Sequence, residues 1–393
     1  MKLLVLTSRF PYPVEKGDKL RIYHQLVQLA QRHEIVLFSL SDQPVAEADY
    51  RQVAALCSSI YLFSLPRPGI FLHVALGLLR GEAIQMAYFF RRKIAHRLAQ
   101  IIETEQPDML YCQLIRMAAY VQALRPAIPC TIDYMDCFSA GMKRQATREQ
   151  LLRRGIYRRE SRLLARYERE VYGAFAHHCI ISEQDRRLLD LPADQQDRVQ
   201  VVPNGVDTAY FCPDPAQTPT HDVVFAGNMG YFPNVEAACF LASEVMPLVW
   251  ATYPQATLLI AGARPTPAVR RLAADPRIDV SGWVADIRRA YGGGRVCVAP
   301  LRTGSGQQNK VLEAMSMARP CVTTSLVNNA IGAVPAEAML LGDTPAQLAQ
   351  QICAVLADPA LGARLGTRAR VFVEERYSWP ASVALLEACW QRP

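Results

Sequence analysis

The 393-residue sequence lacks any long apolar run. Its most apolar stretch, residues 69–90, is interrupted by His73, Arg80 and Glu82, so no segment reaches the roughly 18 consecutive apolar residues that a membrane-spanning helix needs. The apolar run before Ser8 is too short for the hydrophobic part of a signal peptide and favours a buried first strand. The sequence therefore predicts neither a secretion leader nor a membrane span.

Several motifs that mark catalytic or ligand sites are also missing. The chain has no Gly-x-Gly-x-x-Gly fingerprint, no Gly-x-x-x-x-Gly-Lys-Ser/Thr loop, no Gly-x-Ser-x-Gly turn and no Asp-x-Asp. The last absence argues against a metal-dependent sugar-nucleotide site. Eleven cysteines without a Cys-x-x-Cys pair argue against a disulfide framework or a zinc site and favour a reducing cytoplasm.

Positive charge is concentrated in one segment. Hydrophobic residues make up 51% of the chain and charged residues 20%, which is typical of a soluble globular protein. Residues 143–169 contain ten Lys or Arg and three Glu, an excess equal to the net charge of +7 of the whole chain. This concentration suggests an anionic partner such as a membrane surface, a lipid-linked phosphate or a nucleic acid. The solvated face of an amphipathic helix would explain the same charges, and both interpretations stay open.

Short apolar runs alternate with helical patterns twice along the chain. The predicted strands cover residues 2–7, 34–40, 59–65, 109–114, 130–135, 177–182, 222–229, 257–263, 278–284, 296–300 and 320–325. The predicted helices include residues 19–32, 91–104, 234–253, 265–274, 286–291 and 307–318, with a final pair bent at Pro380. Such alternation predicts α/β architecture: two Rossmann-like, doubly wound domains with a ligand cleft between them.

The domain boundaries follow from this alternation and from composition. Residues 1–202 form the predicted first domain, and 203–221, rich in Pro, Asp and Thr, the predicted linker. Residues 222–375 form the predicted second domain. We expect residues 376–393 to be a terminal helix that returns to the first domain.

Two strand-to-helix turns are candidates for anion binding. Gly17 and Asp18 end the proline-rich turn after the first strand, where the N–H groups of a helix start can bind an anion. Gly227, Asn228 and Gly230 occupy the equivalent turn of the second domain. Each signal is weak by itself, because a glycine turn before a helix needs no ligand.

The third candidate is the sequence GSGQQNKVLEAM, residues 304–315. The loop Gly304-Ser305-Gly306 leads into a helix whose first turn holds Asn309 and Lys310, and Glu313 lies on the same face as Lys310. A lysine here suits a phosphate, and a carboxylate can accept two hydrogen bonds from neighbouring hydroxyls, as on a ribose. A surface Lys–Glu ion pair would explain the pattern without a ligand.

Taken together, these segments resemble the retaining glycosyltransferases of family 4, which have the two-domain GT-B fold. Residues 282–324 are similar to their donor-binding core, residues 201–207 (VVPNGVD) to the segment that enters their second domain, and 376–379 (RYSW) to their chain end. The sequence QNKVLEAM and residues 132–139 (IDYMDCFS) resemble segments found in a branch of bacterial sugar transferases associated with exosortase and exopolysaccharide systems. The resemblance covers essentially the whole chain and is most specific over 282–324.

The resemblance implies roles for individual residues. Glu313 would bind the donor ribose, the 304–306 loop would lie beside the donor sugar and phosphates, and Gly17 would touch the diphosphate. Trp283 and Val284 would lie beside the nucleobase and contact it through their backbone. The donor-binding set implied in full is Gly17, Asp18, Gly227, Asn228, Gly230, Trp283, Val284, Arg302, Gly304, Ser305, Gly306, Asn309, Lys310 and Glu313.

The sequence departs from the family pattern at three places. Ser305 stands where a first glutamate is usual, and Asn228 lies where relatives carry Arg and Lys, so we infer that Lys310, with Arg302, supplies the positive charge. Gln113 stands where many relatives have a histidine; glutamine can position a group but cannot exchange a proton. The catalytic candidates are Gln113, Lys310 and Glu313, and the acceptor-side candidates are Asp133, Asp136 and Ser139.

The implied function is transfer of a sugar, with retention, from a nucleoside diphosphate sugar to a hydroxyl of a saccharide or lipid-linked saccharide, in exopolysaccharide or cell-surface glycan synthesis. No cofactor, metal or nucleic acid is expected. Residues 143–169 would contact an anionic membrane, so we expect a cytoplasmic protein that can bind the inner face of the plasma membrane. Two alternatives remain open: a sugar-nucleotide epimerase of the same fold, and a non-catalytic sugar-nucleotide-binding partner of a synthesis complex.

Overall fold

The computed structural model describes residues 1–303 and 307–391, and these divide into two compact units. The first unit contains Met1–Pro203 and the chain end from Ser382, and the second contains Asn204–Ala381. Each unit is built on one parallel β-sheet, so the predicted α/β class with two doubly wound sheets is confirmed.

The first unit has a seven-stranded parallel sheet within the described residues. Its strands β1 to β7 are Lys2–Thr7, Glu34–Ser41, Ser59–Ser64, Met109–Gln113, Cys130–Asp133, His177–Ile180 and Gln200–Val201. Its helices α1 to α10 are Gly17–Leu29, Glu47–Ala54, Arg67–Leu79, Ile84–Phe89, Arg92–Glu105, Ile115–Leu124, Phe138–Arg148, Leu151–Tyr172, Glu183–Leu188 and Ala193–Arg198. Strands β1 and β4 are buried along almost their whole length, because helices cover both faces of the sheet.

The second unit has a six-stranded parallel sheet within the described residues. Its strands β8 to β13 are His221–Ala226, Leu258–Ala261, Ile278–Gly282, Gly294–Ala299, Cys321–Thr323 and Leu340–Leu341. Its helices α11 to α18 are Phe232–Phe240, Met246–Thr252, Pro267–Arg271, Ile287–Gly292, Asn309–Ser316, Ser325–Ile331, Pro345–Ala357 and Pro359–Arg376. A π-helical turn, Leu241–Val245, joins α11 to α12, and a 3₁₀ turn, Leu272–Ala274, follows α13.

The strand orders place a topological switch point in each sheet. The order is β3-β2-β1-β4-β5-β6-β7 in the first unit and β10-β9-β8-β11-β12-β13 in the second. Successive strands are added toward one edge of the sheet from β1 to β3 and toward the other edge from β4 onward, and the same change of side separates β8–β10 from β11–β13. Ligands of doubly wound sheets bind at the carboxyl ends of the strands on either side of such a point. Each sheet thus positions the turns after those strands as candidate sites.

Two boundary predictions need correction. Most of the predicted linker, 203–221, packs on the second unit: the Asn204 N–H donates to Gln307 Oε1 at 2.8 Å, and the Ser316 hydroxyl donates to the carbonyl oxygen of Phe211 at 2.6 Å. The linker-like composition therefore marks an irregular packed segment rather than a free connection. The final helix α19, Trp379–Trp390, begins before Pro380, because proline fits the first turn of a helix.

One helical run in the described residues is long and apolar enough to cross a membrane by length and composition alone. It is Phe232–Thr252, which comprises α11, the π turn and α12. Its side chains Phe240, Leu241, Val245 and Val249 belong to the hydrophobic core of the second unit. This burial is typical of a core helix in a globular domain.

Candidate functional site

The turn after β8 is closely packed because two glycines allow the backbone to approach. A Cβ at Gly262 would lie 1.8 Å from the carbonyl oxygen of Gly227, and a Cβ at Gly227 would lie 2.9 Å from Nδ2 of Asn234. The turn is closed by Asn228, whose Oδ1 accepts a hydrogen bond from the Gly230 N–H at 3.0 Å. The predicted glycine turn therefore lies where the ends of β8 and β9 meet.

Asn234 connects this turn to Lys310. Asn234 lies in the first turn of α11 and is almost fully buried. Its Nδ2 donates to the carbonyl oxygen of Asn228 at 2.9 Å, and its Oδ1 accepts from Lys310 Nζ at 2.9 Å. A single amide thus fixes the lysine ammonium against the turn after β8.

The ammonium of Lys310 is held by neutral oxygens. Besides Asn234, it donates to Oε1 of Gln308 at 2.9 Å. Burial lowers the pKa of Lys310 to about 8, and the nearby Glu313 carboxylate only partly opposes this shift. Among the described residues no ion pair within 4 Å joins Lys310 to a carboxylate, so the simple Lys–Glu ion pair considered from the sequence is not formed. Lys310 is also the only lysine after residue 143.

Glu313 is positioned by Tyr291. The hydroxyl of Tyr291, on α14, donates to Oε2 of Glu313, on α15, at 2.8 Å. Burial raises the pKa of Glu313, and the Tyr291 hydrogen bond and the Lys310 charge oppose that rise. With one oxygen held, the other carboxylate oxygen and the remaining lone pairs can accept hydrogen bonds from a ligand.

Arg302 is engaged within the second unit. Its guanidinium lies 2.9 Å from Glu236 Oε1 and stacks 3.9 Å above the ring of Phe240. The Thr303 hydroxyl donates to the other oxygen of Glu236 at 2.8 Å. Because Glu236 compensates the Arg302 charge, the prediction that Arg302 helps Lys310 to bind a phosphate is not supported by this position. Glu236 instead anchors Arg302 and Thr303.

The other predicted donor residues are placed less centrally. Residues 304–306, including Ser305, lie outside the described residues. Asn309 begins α15, and its Oδ1 is buried without a hydrogen-bond partner among the described residues. Trp283 follows β10 and is 73% exposed, and Val284 lines a separate cavity of about 510 Å³ with Ser281 and Asp286.

In the first unit, the turns after β1 and β4 are joined by Gln113. Its Nε2 donates to the carbonyl oxygen of Asp18 at 2.6 Å, and the side chain is buried. The Asp18 carboxylate accepts from Arg9 at 2.6 Å and lies 3.9 Å from Arg116. Gly17 begins α1, and a Cβ there would lie 3.2 Å from Cε of Met135. Gln113 therefore fixes the start of α1, which is a positioning role.

Two of the acceptor-side candidates, Asp133 and Ser139, make hydrogen bonds within the first unit. Asp133 is fully buried, lies 2.6 Å from Nε of Arg21 and accepts from the Tyr111 hydroxyl at 2.7 Å. Ser139 is buried and donates from its hydroxyl to Glu168 at 2.6 Å, which fastens α7 to α8. These internal bonds argue against an acceptor role for Asp133, whose carboxylate is fully buried. Ser139 also lines the cavity of about 630 Å³ between α7 and α8, so its acceptor role stays a prediction.

Asp136 differs from these two residues. Its Oδ1 is buried without a hydrogen-bond partner among the described residues. Burial, followed by the Asp185 carboxylate, raises the pKa of Asp136 to about 7, although Arg116 and Arg144 oppose the shift. Asp136 follows β5 at the carboxyl edge of the sheet and is the acceptor-side candidate with an unused oxygen.

The residues that sequence reasoning missed are those that hold the predicted ones. Asn234, Tyr291 and Glu236 contact Lys310, Glu313 and Arg302. Asn234 had a detectable signal, since it follows Pro233 at a helix start beside the predicted turn. No group of three His, Cys, Asp or Glu side chains arranged for a metal ion occurs within residues 1–303 and 307–391.

Two family models match successive parts of the chain and together span most of it. Residues 20–210 match Glycosyltransferase Family 4, and residues 220–358 match Glycosyl transferases group 1. A relative from Klebsiella pneumoniae, an uncharacterized 44.6 kDa protein in the cps region, is 20% identical over 96% of this chain and 96% of its own.

Solved structures share the fold at low sequence identity. Sucrose-phosphate synthase from Thermosynechococcus elongatus is 16% identical with a TM-score of 0.68, and the comparison covers 100% of this chain and 98% of that one. Anabaena HepE in complex with UDP is 15% identical with a TM-score of 0.69 and 99% coverage of both chains. HepE has also been solved in complex with UDP-glucose.

Proposed function

The chain belongs to the GT-B glycosyltransferases, with a family 4 domain followed by a group 1 domain, and on this basis we propose that it transfers a hexose from a nucleoside diphosphate sugar with retention at the anomeric carbon. The observation that carries the proposal is the arrangement of Lys310 and Glu313 at the start of α15. It provides a cation held by neutral amides and a carboxylate held by one phenol.

This arrangement suits a nucleoside diphosphate. The Lys310 ammonium, together with the N–H groups of the first turn of α15, would balance the diphosphate charge. The free lone pairs of Glu313 would accept hydrogen bonds from the ribose hydroxyls. The complexes of HepE with UDP and UDP-glucose support a nucleotide-sugar donor for this chain as well.

The proposed reaction breaks the bond between the anomeric carbon and the diphosphate oxygen and forms a bond from the acceptor oxygen to the same face of that carbon. Lys310 would stabilise the negative charge that develops on the departing diphosphate. The acceptor hydroxyl must lose its proton, and the amide of Gln113 cannot take it. In our proposal the departing diphosphate oxygen receives that proton, and the reaction needs no metal.

The proposed acceptor is a saccharide or a lipid-linked saccharide of bacterial exopolysaccharide or cell-surface glycan synthesis. The relative encoded in a cps region supports this context. A cavity of about 630 Å³ between α7 and α8 is lined by Lys143, Arg158 and Arg162, with Asp190 as the carboxylate of its lining. We propose that residues 143–169 contact anionic groups of the acceptor or of the inner membrane leaflet, with the protein itself in the cytoplasm.

A panel of radiolabelled nucleotide sugars, incubated with the protein and a bacterial lipid-saccharide extract, tests this function. We expect label to pass from one donor to the extract in EDTA, and Glu313→Ala and Lys310→Ala to abolish both transfer and thermal stabilisation by that donor. Glu244→Ala, an exposed carboxylate of the same unit, is the matched control.

Each alternative has its own outcome. Stabilisation by a donor without transfer to any acceptor would identify a sugar-nucleotide-binding partner. Recovery of the nucleotide with an inverted sugar centre would identify an epimerase. If transfer proceeds unchanged in Glu313→Ala, the assignment of the donor site to α15 is wrong.

A further inference from the structure

Helix α3 exposes an apolar side that the fold of the first unit does not cover. Phe71 is 75% exposed and Leu79 is 85% exposed, and Leu72 and Leu76 are exposed between them. Positions 71, 72, 75, 76 and 79 lie on one side of an α-helix because 3.6 residues make a turn. A soluble domain rarely presents several large apolar side chains on one helix face to water.

A cavity of about 640 Å³ lies beside α3, at the carboxyl end of β3. Its apolar part includes Leu65, Leu76 and Phe90. Its charged lining comprises four cations, Arg80, Arg91, Arg92 and Lys93, and one carboxylate, Glu82. The cavity thus combines an apolar wall with a strong excess of positive charge, which fits a ligand that has an acyl part and an anionic part.

Arg91 is only partly satisfied by the protein. Its Nη1 donates to the carbonyl oxygens of Ala87 at 3.0 Å and Phe90 at 2.7 Å. Its Nη2 is buried without a hydrogen-bond partner among the described residues. A guanidinium nitrogen without a partner normally bonds to a ligand or water, and phosphate is the group that guanidinium recognises best.

Helix α5 adds a second source of positive potential. It begins at Arg92, immediately after Arg91, and extends over 14 residues. No acidic residue lies in its first turn, and no side chain of residues 1–303 or 307–391 caps its N-terminus. The N–H groups of the first turn and the positive end of the helix dipole therefore remain available to an anion at the cavity.

We propose that the cavity between α3 and the start of α5 binds the phosphate headgroup of an anionic membrane phospholipid, while the exposed side of α3 enters the acyl region of the bilayer. Charge complementarity commits the site to an anionic bilayer, and the apolar side of α3 explains why a free phosphate would leave half of the surface unused. The basic helix α8 extends the same surface, because Arg159 Nη2 lies 3.5 Å from the carbonyl oxygen of Leu78 and Glu160 accepts from the Ile84 N–H at 2.9 Å.

The position of this surface gives it a role. It lies at the carboxyl edge of the first-unit sheet, the same edge as Gly17 and Asp136. A bilayer held there would keep a lipid-anchored substrate beside that edge. The membrane site itself does not require the proposed transfer reaction.

Flotation of the full chain with vesicles tests the site. Vesicles of phosphatidylcholine alone are compared with vesicles that contain phosphatidylglycerol, at low and high salt. We expect binding only to the anionic vesicles, weakening with salt, and a loss of at least about tenfold for the Arg92→Glu/Lys93→Glu variant. Arg97→Glu, an exposed arginine of α5 that does not line the cavity, is the matched control and should bind like wild type.

The apolar contact is tested separately. Phe71→Ser and Leu79→Ser should weaken binding to the anionic vesicles several-fold, whereas Leu248→Ser, an exposed leucine of the second unit, should not. The extra fluorescence of Leu79→Trp should shift to the blue on anionic vesicles. Circular dichroism and melting temperature confirm that each variant is folded.

Three outcomes would overturn the proposal. The first is undiminished vesicle binding by the Arg92→Glu/Lys93→Glu variant, and the second is an unshifted emission of Leu79→Trp on anionic vesicles. The third is that millimolar inorganic phosphate abolishes vesicle binding as completely as omission of the anionic lipid does. The last result would assign the site to a free phosphate. Because the experiment contains no sugar nucleotide, none of these results bears on the proposed transfer.

Discussion

The phenol oxygen of Tyr291 lies 2.8 Å from Oε2 of Glu313, and the two residues lie on successive helices, α14 and α15, of the second unit. Burial raises the pKa of Glu313, and the Tyr291 hydroxyl is the first of the groups that lower it. The ionised carboxylate is the form that accepts hydrogen bonds from two hydroxyls. Tyr291 thus helps to keep Glu313 charged.

Tyr291→Phe should shift the pH dependence of donor binding more than the affinity at its optimum. Removal of the phenol raises the Glu313 pKa, so donor affinity falls at a higher pH when the medium is acidified. At pH 8 we expect at most about a threefold loss, and a clearly larger loss near pH 5.5, as one hydrogen bond to a charged group contributes about 1.5–3 kcal/mol. Calorimetric titration with the donor measures this, with Tyr210→Phe as the control; parallel profiles for wild type and Tyr291→Phe would refute the role.

Lys310 should make donor binding weaker in alkaline solution. Burial lowers its pKa to about 8, so the free protein loses the ammonium as pH rises from 7 to 9. Above that pKa the dissociation constant should rise by up to about tenfold per pH unit, until the pKa of the donor complex is reached. The unfolding free energy changes with pH in the opposite sense. The folded chain loses this proton near pH 8, whereas the unfolded chain keeps it up to about pH 10.5. The unfolding free energy therefore rises between about pH 8 and 10.5, because the folded state no longer has to bury the charge.

The alkaline limb can be assigned to Lys310 directly. Lys310→Met should bind donor weakly, and its dissociation constant should not rise further above pH 8. Mass-spectrometric labelling with an amine reagent should give a titration midpoint near pH 8 for this residue, which is the only lysine after residue 143. Donor should protect it from labelling. The same limb in Lys310→Met would show that another group is responsible.

Asn234→Ala should lower donor affinity, although in our proposal Asn234 acts through Lys310 and does not contact the donor. It removes the amide that joins Lys310 Nζ to the turn at Asn228, at 2.9 Å on both sides. We expect a loss of about 1–2 kcal/mol in unfolding free energy and a donor affinity several-fold lower. Asn329→Ala, an exposed asparagine of α16, should change neither. Denaturant unfolding and calorimetry measure both quantities, and donor affinity equal to wild type would exclude this positioning role.

There is a physical reason why the sequence predicts some strands and site residues and misses others. Each strand predicted from an apolar run is present, and strands covered on both faces, such as β1 and β4, have apolar residues at their centres. The strands β7, Gln200–Val201, and β13, Leu340–Leu341, are two residues long and produce no such run. Lys310 and Glu313 were predictable because they are neighbours on one helix. Their partners Asn234 and Tyr291 lie 76 and 22 positions away, where only the folded chain brings them into contact.

The same limit applies to Asp133. The sequence IDYMDCFS places two aspartates after a predicted strand and does not tell which one points into the protein. In the fold Asp133 ends β5 and pairs with Arg21 on α1, 112 positions away, whereas Asp136 lies beyond the strand with an oxygen unpaired in the described part of the chain.

Asp133→Asn should destabilise the first unit. Arg21 would keep its charge in a fully buried place without a compensating carboxylate, at a cost of roughly 3–5 kcal/mol. Scanning calorimetry should show an earlier transition for one part of the protein only. Asp279→Asn, at a largely exposed side chain of the second unit, should melt like wild type. A variant that melts normally but has a raised KM for the acceptor would restore Asp133 to the acceptor side.

Asp136→Asn should change stability in a pH-dependent way. Burial and the Asp185 carboxylate raise the Asp136 pKa to about 7, with a smaller contribution of the same sign from Glu168 and opposition from Arg116 and Arg144. In the unfolded chain an aspartate ionises near pH 4, so between about pH 4 and 7 the folded state holds more protons than the unfolded state. The stability that this aspartate contributes is therefore largest in acid and is lost as pH rises through 7. Asparagine does not ionise, so the variant should gain on wild type by on the order of 2 kcal/mol between pH 5 and pH 8. Unfolding free energies across that range, with the exposed Asp194→Asn as control, measure the gain, and a difference that stays constant with pH would mean that Asp136 is already ionised in the folded protein.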